Sequence, residues 1–572
     1  MAIEADIQQF IHNLEQGSIG KWLRLGLFAA IFASLGISWM TYRFNGFSTP
    51  EAMDQAQIGR QIANGQGFTT LYARPLNLNL LISRTGQVPT PLPELNQAPL
   101  GPIINSAALK LSGPQASMAE SDSIYMPERI ISAIGFMFFS GSLVILFLLG
   151  RQLFDPKVAI FGIGFIVVTD LLWQFSFSGL PQMAMLFFFS ASLLLLVLAL
   201  NRQDQGRSTH AVLLVLTASL LLGIMTLGHG IGLGIFGGFW IFTSLIVRPR
   251  RLVCLLTPLV YFIPLAPWAL HNWHHLRNPF GASFYETYRG WETEPLALTA
   301  NFEPLLRFRW ADFLSNTAEQ FTEMIGQLPR YFGGNFIALT FFLALIFYVY
   351  KRWQPSQVRW AIFLMWLGAT LGMAIFGVGD SVSSNQLHII FVPIMVFYGL
   401  GFLLDLWERL GIDNPMLRGF FLALLYLIIG MPLIVGLMTV PKRYNWPPYI
   451  PPLIQVFSTW IQPNEALAAD IPWATAWYSE RRSLLVPENI GQFELINSEQ
   501  IIGAPLVALY LTPFSGNQPA YEAIVNGRYR GWARFVAHEI TPEELSEWVL
   551  KTGVELPLDG KSIMYADRPR WR

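Results

Sequence analysis

The carboxylate of Asp54 is the first candidate for chemistry in this sequence. It follows the run Ser48-Thr49-Pro50-Glu51, where a capping residue, a proline and an early carboxylate together predict the start of a helix. A carboxylate acts as a general base when a hydroxyl group comes within hydrogen-bond reach. It is also stabilised by the helix dipole in a first turn. The residue alone therefore leaves a catalytic and a structural interpretation open.

A second candidate group consists of three closely spaced histidines. His271, His274 and His275 have i, i+3 and i+4 spacing, which places them on one helical face. Imidazoles are zinc ligands, but no carboxylate partner lies nearby in the sequence, so a metal is possible without being supported. Cys254 is the only cysteine, which excludes intramolecular disulfides and cysteine-based zinc sites. We predict no cofactor.

The composition places these residues in a membrane protein. Charged residues make up 13% of the 572 positions and hydrophobic residues 53%, whereas an ordinary soluble protein carries about 25% charged residues. The 37 basic and 37 acidic residues give a net charge of zero. Nucleic-acid binding needs a concentrated basic surface, so we expect no nucleic-acid partner.

Apolar runs long enough to cross a bilayer need 17 to 25 residues. Eleven runs approach this length, so the sequence predicts about 11 transmembrane helices. They cover residues 25–42, 130–150, 158–175, 181–200, 211–228, 231–247, 252–270, 335–350, 360–378, 387–405 and 419–440.

Basic residues beside the spans predict the orientation. Arginine and lysine flank every second connection, from Lys21 and Arg24 to Arg409 and Arg418, whereas the short connections at 176–180, 229–230 and 379–386 carry none. Because Lys and Arg next to spans stay in the cytoplasm, we predict a cytoplasmic N-terminus and an outer C-terminus.

The connections then divide the chain. Residues 1–24 contain an amphipathic stretch that predicts a cytoplasmic interfacial helix. Residues 25–440 form the membrane domain, with long outer loops at 43–129 and 271–334. Residues 441–572 are richer in charge and turns, which predicts a soluble outer α/β domain.

The helix that carries Asp54 is expected to end near Ala63, because Gly65 and Gly67 follow. Its apolar side chains recur along one face, which suggests a helix lying along the membrane surface. These are Met53, Ile58 and Ile62. Elsewhere, either Gly230 and Gly234 or Gly234 and Gly238 are expected to permit close helix packing.

Several stretches resemble the GT-C class of membrane glycosyltransferases, and the nearest group is the glycosyltransferase 39 family, which includes protein O-mannosyltransferases and the aminoarabinose transferase of lipid A. The similarity covers several hundred residues, each piece being loose. It is carried by Asp54 to Thr70, Gln97-Ala98-Pro99-Leu100, Arg129 to Gly135, Pro267-Trp268, Asn278 to Gly281 and Ala469-Asp470 with Trp477-Tyr478.

The resemblance implies a GT-C-like helical membrane fold with a periplasmic C-terminal domain, located in the bacterial inner (plasma) membrane. It implies transfer of a sugar from a polyisoprenyl-phosphate donor to a protein, lipid or glycan acceptor at the outer face, with inversion. Asp54 matches the family's catalytic carboxylate. The family's Glu-Lys pair is replaced by Asn96-Gln97-Ala98, so neutral amides would face donor charge there.

Residues for binding the donor phosphate or sugar are expected at the outer ends of the spans. Arg129 either reaches the lipid phosphate or extends to head groups beside Glu128. Asp170 either lines the cavity, caps a neighbouring chain, or bonds to Thr169 or Ser176. The remaining candidates for donor contacts are His229, His271, Gln386 and His388.

Two other functions fit the same sequence. A lipid-linked saccharide transporter or non-catalytic scaffold would keep the fold without needing Asp54. A polymerase or ligase of surface polysaccharide would use a related carrier and differ in the length of its product.

Overall fold

The computed structural model describes residues 18–112, 118, 122–288, 297–303, 308–347, 353–411, 414–439, 449–513, 525–556 and 562–571. Most of the interfacial helix predicted at 1–24 lies outside these residues. Helices dominate the described chain. In chain order they are α1 (Ser18–Ser38), α2 (Pro50–Ala63), α3 (Pro75–Thr85), α4 (Leu100–Ser112), α5 (Met126–Leu153), α6 (Pro156–Val167), α7 (Asp170–Phe177), α8 (Gln182–Asp204), α9 (Ser208–Thr226), α10 (Gly232–Ile246), α11 (Arg250–Leu276), α12 (Ala297–Ala300), α13 (Trp310–Gly326), α14 (Leu328–Tyr331), α15 (Phe336–Phe347), α16 (Trp353–Phe376), α17 (Val392–Arg409), α18 (Pro415–Met438), α19 (Pro451–Trp460), α20 (Pro472–Tyr478), α21 (Ile490–Ser498), α22 (Ala533–Val536) and α23 (Pro542–Glu547).

The protein is a multi-pass membrane protein. Within the described residues, six helices are long and apolar enough to cross a bilayer, namely α5, α8, α9, α11, α16 and α18. The bent pair α6 and α7 makes a seventh if it counts as one span, and α10 and α15 are shorter apolar helices. Each of the eleven predicted runs overlaps a helix, and the total number of spans stays a prediction.

The third predicted span is not one straight helix. Its two halves, α6 and α7, meet at an angle of 63°. Thr169 at the break is extended, and its hydroxyl accepts a hydrogen bond from the Asn335 side chain at 2.9 Å. The break therefore places Asp170 at the first position of a new helix.

The helix that carries Asp54 has the predicted ends but a different environment. Thr49 caps α2 by accepting a hydrogen bond from the backbone N–H of Ala52 at 3.3 Å. Every residue from Ala52 to Arg60 is buried. Helices α4 and α20 pack against α2, so α2 is covered by protein, and its position along the membrane surface stays a prediction. Polar side chains of α2 are buried together with its apolar side chains, so the apolar stripe covers only part of the buried surface.

In the described residues, a six-stranded sheet joins the loop at 43–129, which is predicted to be the first outer loop, to the C-terminal part, defined as the chain from Tyr449 onwards. The strand order is β1-β3-β2-β4-β6-β5, with the first four strands parallel and β6 antiparallel to both of its neighbours. The strands are β1 (Tyr72–Ala73), β2 (Ala466–Ala469), β3 (Arg482–Leu485), β4 (Leu506–Leu511), β5 (Thr552–Glu555) and β6 (Ile563–Ala566). Strand β1 belongs to the loop at 43–129, so the sheet crosses the predicted boundary at residue 441.

Two of the three glycines singled out in the sequence pack helices closely. A Cβ on Gly234 of α10 would lie 2.3 Å from the carbonyl oxygen of Gly368 on α16, and one on Gly238 would lie 2.4 Å from the backbone of Leu364. The predicted close packing is confirmed at these positions. The pair is therefore Gly234 and Gly238, and not the alternative pair of Gly230 and Gly234, because Gly230 has open space around it.

Replacing Gly234 by valine is expected to destabilise the protein because α10 and α16 would have to separate, at a cost of about 1–3 kcal/mol. The matched control is Gly237→Val on the same helix, where nothing lies within 4 Å of the added Cβ. Thermal unfolding of the detergent-solubilised variants measures the difference. Equal midpoints for the two variants would contradict the close helix contact.

Candidate active site

Asp54 lies at the centre of a buried polar cluster. Its side chain accepts hydrogen bonds from Gln57 at Oδ1, at 2.9 Å, and from Gln97 at Oδ2, at 2.9 Å. A third donor is the guanidinium of Arg74, which forms an ion pair with Oδ2. The residue is 2% exposed. Its charge is therefore compensated inside the protein rather than by water.

The position of Arg74 is fixed by the strand that precedes it and the helix that follows it. It follows β1 directly and is the N-cap residue of α3, whose first position is Pro75. Its guanidinium carbon lies 3.9 Å from the ring centroid of Tyr72. Burial is the largest single effect and lowers the pKa of Arg74, but the negative charges around it, Asp54 first, and the hydrogen bond to Asp54 together outweigh burial, so the pKa is above its usual value and the side chain is charged.

Glu94 supplies a second buried carboxylate on the other side of Arg74. Its Oε2 lies 3.7 Å from Arg74 Nη1. Its Oε1 accepts hydrogen bonds from the backbone N–H groups of Asn96 at 2.6 Å and Gln97 at 2.8 Å. The side chain is fully buried, and burial raises the pKa of Glu94 while Arg74 opposes the rise.

The cluster still has polar atoms available for substrate. A carboxylate offers about four lone-pair positions, and three donors reach Asp54, which leaves one position on Oδ1. Arg74 Nη1 and Glu94 Oε2 are buried without a hydrogen-bond partner in the described residues. Their 3.7 Å separation is too long for a hydrogen bond, so a hydroxyl or phosphate oxygen would find a donor and an acceptor here.

Gln57 ties this cluster to the strand that precedes Arg74. Its Nε2 donates to Asp54 at 2.9 Å and to the Thr70 hydroxyl at 2.6 Å, and its Oε1 accepts from the backbone N–H of Leu71 at 3.0 Å. One turn of α2 thus fixes both the carboxylate and the start of β1. Gln97 holds the opposite side of Asp54 and also accepts from Gln55 at 3.3 Å.

The second outer loop reaches the cluster through His271. Its Nε2 lies 3.0 Å from the backbone oxygen of Glu94, and its ring packs against Phe68, with 5.4 Å between centroids. The ring of His275 makes an edge-to-face contact with the His271 ring, with 4.9 Å between centroids. In the described residues, no group of three or more His, Cys, Asp or Glu side chains is arranged to hold a metal ion.

Gln386 and His388 form a separate group. The Gln386 amide donates to the Tyr331 carbonyl at 3.2 Å and accepts from the backbone N–H of Ile389 at 3.1 Å, so it braces the turn before α17. His388 Nδ1 accepts from the Trp366 indole at 2.9 Å, and its Nε2 is buried without a hydrogen-bond partner in the part of the chain that the structure describes.

The other predicted contacts are dispersed. Asp170 is buried and accepts a hydrogen bond from Gln174 at 2.6 Å, so the alternative that it bonds to Thr169 or Ser176 is wrong. Arg129 is exposed on the first turn of α5.

His229 uses Nδ1 to accept from the backbone N–H of Ile231 at 3.2 Å, and burial lowers its pKa to about 4, so its imidazole is neutral at pH 7. Its turn also touches the first outer loop, because the Leu227 carbonyl accepts from Leu100 at 2.8 Å. None of Arg129, Asp170 and His229 has a contact with Asp54 among the described hydrogen bonds and ion pairs.

Arg74 and Glu94 are the residues that the sequence reasoning missed. The resemblance predicts that neutral amides at Asn96 and Gln97 replace a charged pair, but Glu94 lies only two residues before Asn96. The available signal was the position of Arg74 and Glu94 in the same outer loop as Asp54, within a chain that is poor in charge.

The fold is shared with solved membrane transferases. ArnT from Cupriavidus metallidurans in the apo state superposes with a TM-score of 0.57 at 12% identity, over 96% of this chain and 98% of that chain; its structure bound to undecaprenyl phosphate gives 0.55 at 12%, over 95% and 98%. The Archaeoglobus fulgidus oligosaccharyltransferase AglB, in complex with an inhibitory peptide and a dolichol-phosphate, gives 0.53 at 13%, over 96% and 75%.

These similarities confirm the GT-C fold predicted from the resemblance. At sequence identities of 12 to 13%, the similarity supports a shared fold and no further property. No protein-family model matches the sequence, and no curated protein matches it.

Replacing Arg74 by glutamine is expected to destabilise the protein by about 3–5 kcal/mol, because Asp54 would keep a buried charge without its partner. The control is Arg409→Gln, which removes an ion pair to Asp405 that is largely exposed on the arginine side and is worth about 0–1 kcal/mol. The double variant Asp54→Asn/Arg74→Gln should recover part of the loss. Thermal unfolding in detergent tests this, and equal losses for Arg74→Gln and Arg409→Gln would contradict the buried pair.

Proposed function

We propose that this protein is a membrane glycosyltransferase that moves a sugar from a polyisoprenyl-phosphate donor to an acceptor at the outer membrane face. The observation that carries the proposal is the buried Asp54–Arg74–Glu94 cluster in a chain with the fold of ArnT. The similar structures support a lipid donor, because ArnT is bound to undecaprenyl phosphate and AglB to a dolichol-phosphate.

Asp54 is the general base in the proposed reaction. The acceptor hydroxyl donates its hydrogen bond to the remaining lone-pair position on Oδ1 and attacks the anomeric carbon. The bond from this carbon to the phosphate oxygen breaks, its electron pair stays with the phosphate, and the hydroxyl proton passes to Asp54. Attack opposite to the leaving group inverts the anomeric configuration.

Arg74 is the candidate for stabilising the departing phosphate. Charge that develops on a leaving oxygen is stabilised by a donor fixed in place before the reaction. The Nη2 group is engaged by Asp54, whereas Nη1 has no hydrogen-bond partner in the described residues. A single guanidinium would thus contact both the base and the phosphate, which would set the distance between them.

The predicted donor contacts at Arg129, Asp170, His229, His271, Gln386 and His388 remain proposals. His271 has the strongest support, since it contacts the backbone of Glu94. Gln386 is the weakest, because both ends of its amide are used in bracing the protein.

The alternative functions differ in what they require of Asp54. A transporter or scaffold would need neither a base nor its alignment with Arg74. A polymerase or ligase would use the same base and differ in product length. The near-complete mutual coverage with ArnT favours a transferase of that architecture over the longer oligosaccharyltransferase, of which 75% is covered.

Replacing Asp54 by asparagine is expected to lower transfer roughly 100- to 10,000-fold, because the base is lost while the shape is kept. Membrane vesicles containing the variant are supplied with undecaprenyl-phosphate-linked monosaccharides, and transfer of labelled sugar is measured at equal protein levels. Asp312→Asn, in a largely exposed ion pair, is the control and should stay active. Unchanged transfer in Asp54→Asn would exclude the proposed base and favour the scaffold or transporter.

We also propose that the protein resides in the bacterial inner membrane with its N-terminus in the cytoplasm and its C-terminus in the periplasm. The basic residues on alternate connections support this orientation.

A reporter that functions only outside the cytoplasm, fused after Arg572, should therefore be active. The same reporter inserted after Arg207, between α8 and α9, should be inactive. Activity of only the second fusion would mean that the orientation is reversed.

A further inference from the structure

The C-terminal part of the chain reaches the candidate site through one strand pair. Tyr72 lies opposite Ser483 and Ala73 opposite Leu484 in the parallel pairing of β1 with β3. The backbone N–H of Ser483 donates to the Leu71 carbonyl at 2.8 Å. Arg74 is the next residue after this pair, and a shift of one residue along a strand is about 3.3 Å. Such a shift would exceed the tolerance of the Arg74–Asp54 hydrogen bond.

The aromatic ring of Tyr72 couples the position of strand β1 to the position of the Arg74 guanidinium. The ring is 3% exposed, and the Arg74 guanidinium carbon lies 3.9 Å from its centroid. The Tyr72 ring also forms an edge-to-face contact with Trp473 in α20, with 6.2 Å between centroids. Trp473 in turn donates to the Tyr449 hydroxyl at 3.0 Å. The C-terminal part therefore supports the ring on which Arg74 rests.

A second connection joins α20 to the helix of Asp54. Trp477 presents its carbonyl to Arg60 Nη1 at 2.8 Å, and its ring centroid lies 4.0 Å from the Arg60 guanidinium carbon. Arg60 is in α2, the same helix as Asp54. It also forms an ion pair with Glu480 at 2.9 Å.

The same tryptophan is bound to the membrane domain. Its indole N–H donates to Glu128 Oε1 at 2.9 Å, and the Tyr478 hydroxyl donates to the same oxygen at 2.6 Å. Glu128 lies in the first turn of α5 and is fully buried, and its Oε2 accepts from the backbone N–H of Phe47 at 3.0 Å. Trp477 thus links three parts of the protein: α2, α5 and the C-terminal sheet.

We propose that the C-terminal part is a fixed positioning element of the transfer site and stays docked during turnover. Tyr72 and Trp477 are positioning residues that act through Arg74 and α2, and neither contacts the reacting atoms. The inference rests on the proposed function. A lid would open for each substrate, whereas the C-terminal part is proposed to stay in place. Lifting the C-terminal part would separate β1 from β3 and remove the support of Arg74.

Substitutions of Tyr72 test the positioning role. Tyr72→Phe keeps the ring beneath Arg74 and should transfer sugar within about 2-fold of the wild type. Tyr72→Leu keeps an apolar side chain but removes the ring, and should lower kcat roughly 10-fold with little change in the KM for donor. Both variants are compared at equal amounts of monodisperse protein. Equal kcat values for Phe and Leu, or a loss confined to KM, would overturn the positioning role.

A crosslink tests whether the C-terminal part stays docked. Ala73→Cys and Leu484→Cys place two thiols at paired positions in one buried cluster, and Cys254 is the only other cysteine. The oxidised double variant should keep the transfer rate of its reduced form, with the two single variants as controls. Loss of transfer on oxidation that is restored by dithiothreitol would show that the strands separate, and would overturn the proposal.

A measurement without turnover separates this inference from the proposed function. Hydrogen exchange of the backbone amides at 70–74 should be slow in the wild type, and faster in Trp477→Ala than in Trp477→Phe. A wild type without transfer but with these exchange rates contradicts the glycosyltransferase and leaves the docking intact. Fast exchange in an active wild type overturns the docking alone.

Discussion

The buried ion pair between Asp54 and Arg74 is the constraint on which the rest of the outer structure depends. Removing two charges from water is costly, and their attraction repays the cost only if the remaining donors and acceptors are also satisfied. This explains why Gln57 and Gln97 point at the same carboxylate. A second carboxylate, Glu94, extends the requirement because it too must receive hydrogen bonds from the backbone.

Satisfying these groups requires segments that are far apart in sequence to meet. Gln57 fixes the chain at Leu71, β1 attaches that chain to a sheet built mainly after residue 465, and His271 brings the second outer loop to the carbonyl of Glu94. The sheet is therefore continuous with the site. A buried backbone segment such as β1 also needs partners for its own N–H and C=O groups, and β3 provides them.

The sequence was sufficient where local chemistry decides the structure. The ends of α2 follow from Thr49, Pro50 and the glycines after it, and the apolar runs coincide with helices because a bilayer selects for length and hydropathy. The full burial of α2 was not predictable, since its cover comes from two elements, α4 and α20, and α20 lies more than 400 residues later. Arg74 and Glu94 were missed for the same reason: a charge in a loop is usually solvated, and only the tertiary contacts identify these two as buried.

The charges in the cluster also limit what can happen in it. Two carboxylates face one guanidinium, so a donor phosphate would enter a site with excess negative charge unless one carboxyl is protonated. Asp54 is held by three donors and is the base in the proposed reaction, whereas Glu94 Oε2 has no hydrogen-bond partner in the described residues and burial raises the Glu94 pKa. Burial therefore favours the neutral form of Glu94. If Glu94 were neutral, Arg74 Nη1 would be available to bind the donor phosphate, because the negative charge of Glu94 Oε2, 3.7 Å from Nη1, would no longer compete for it.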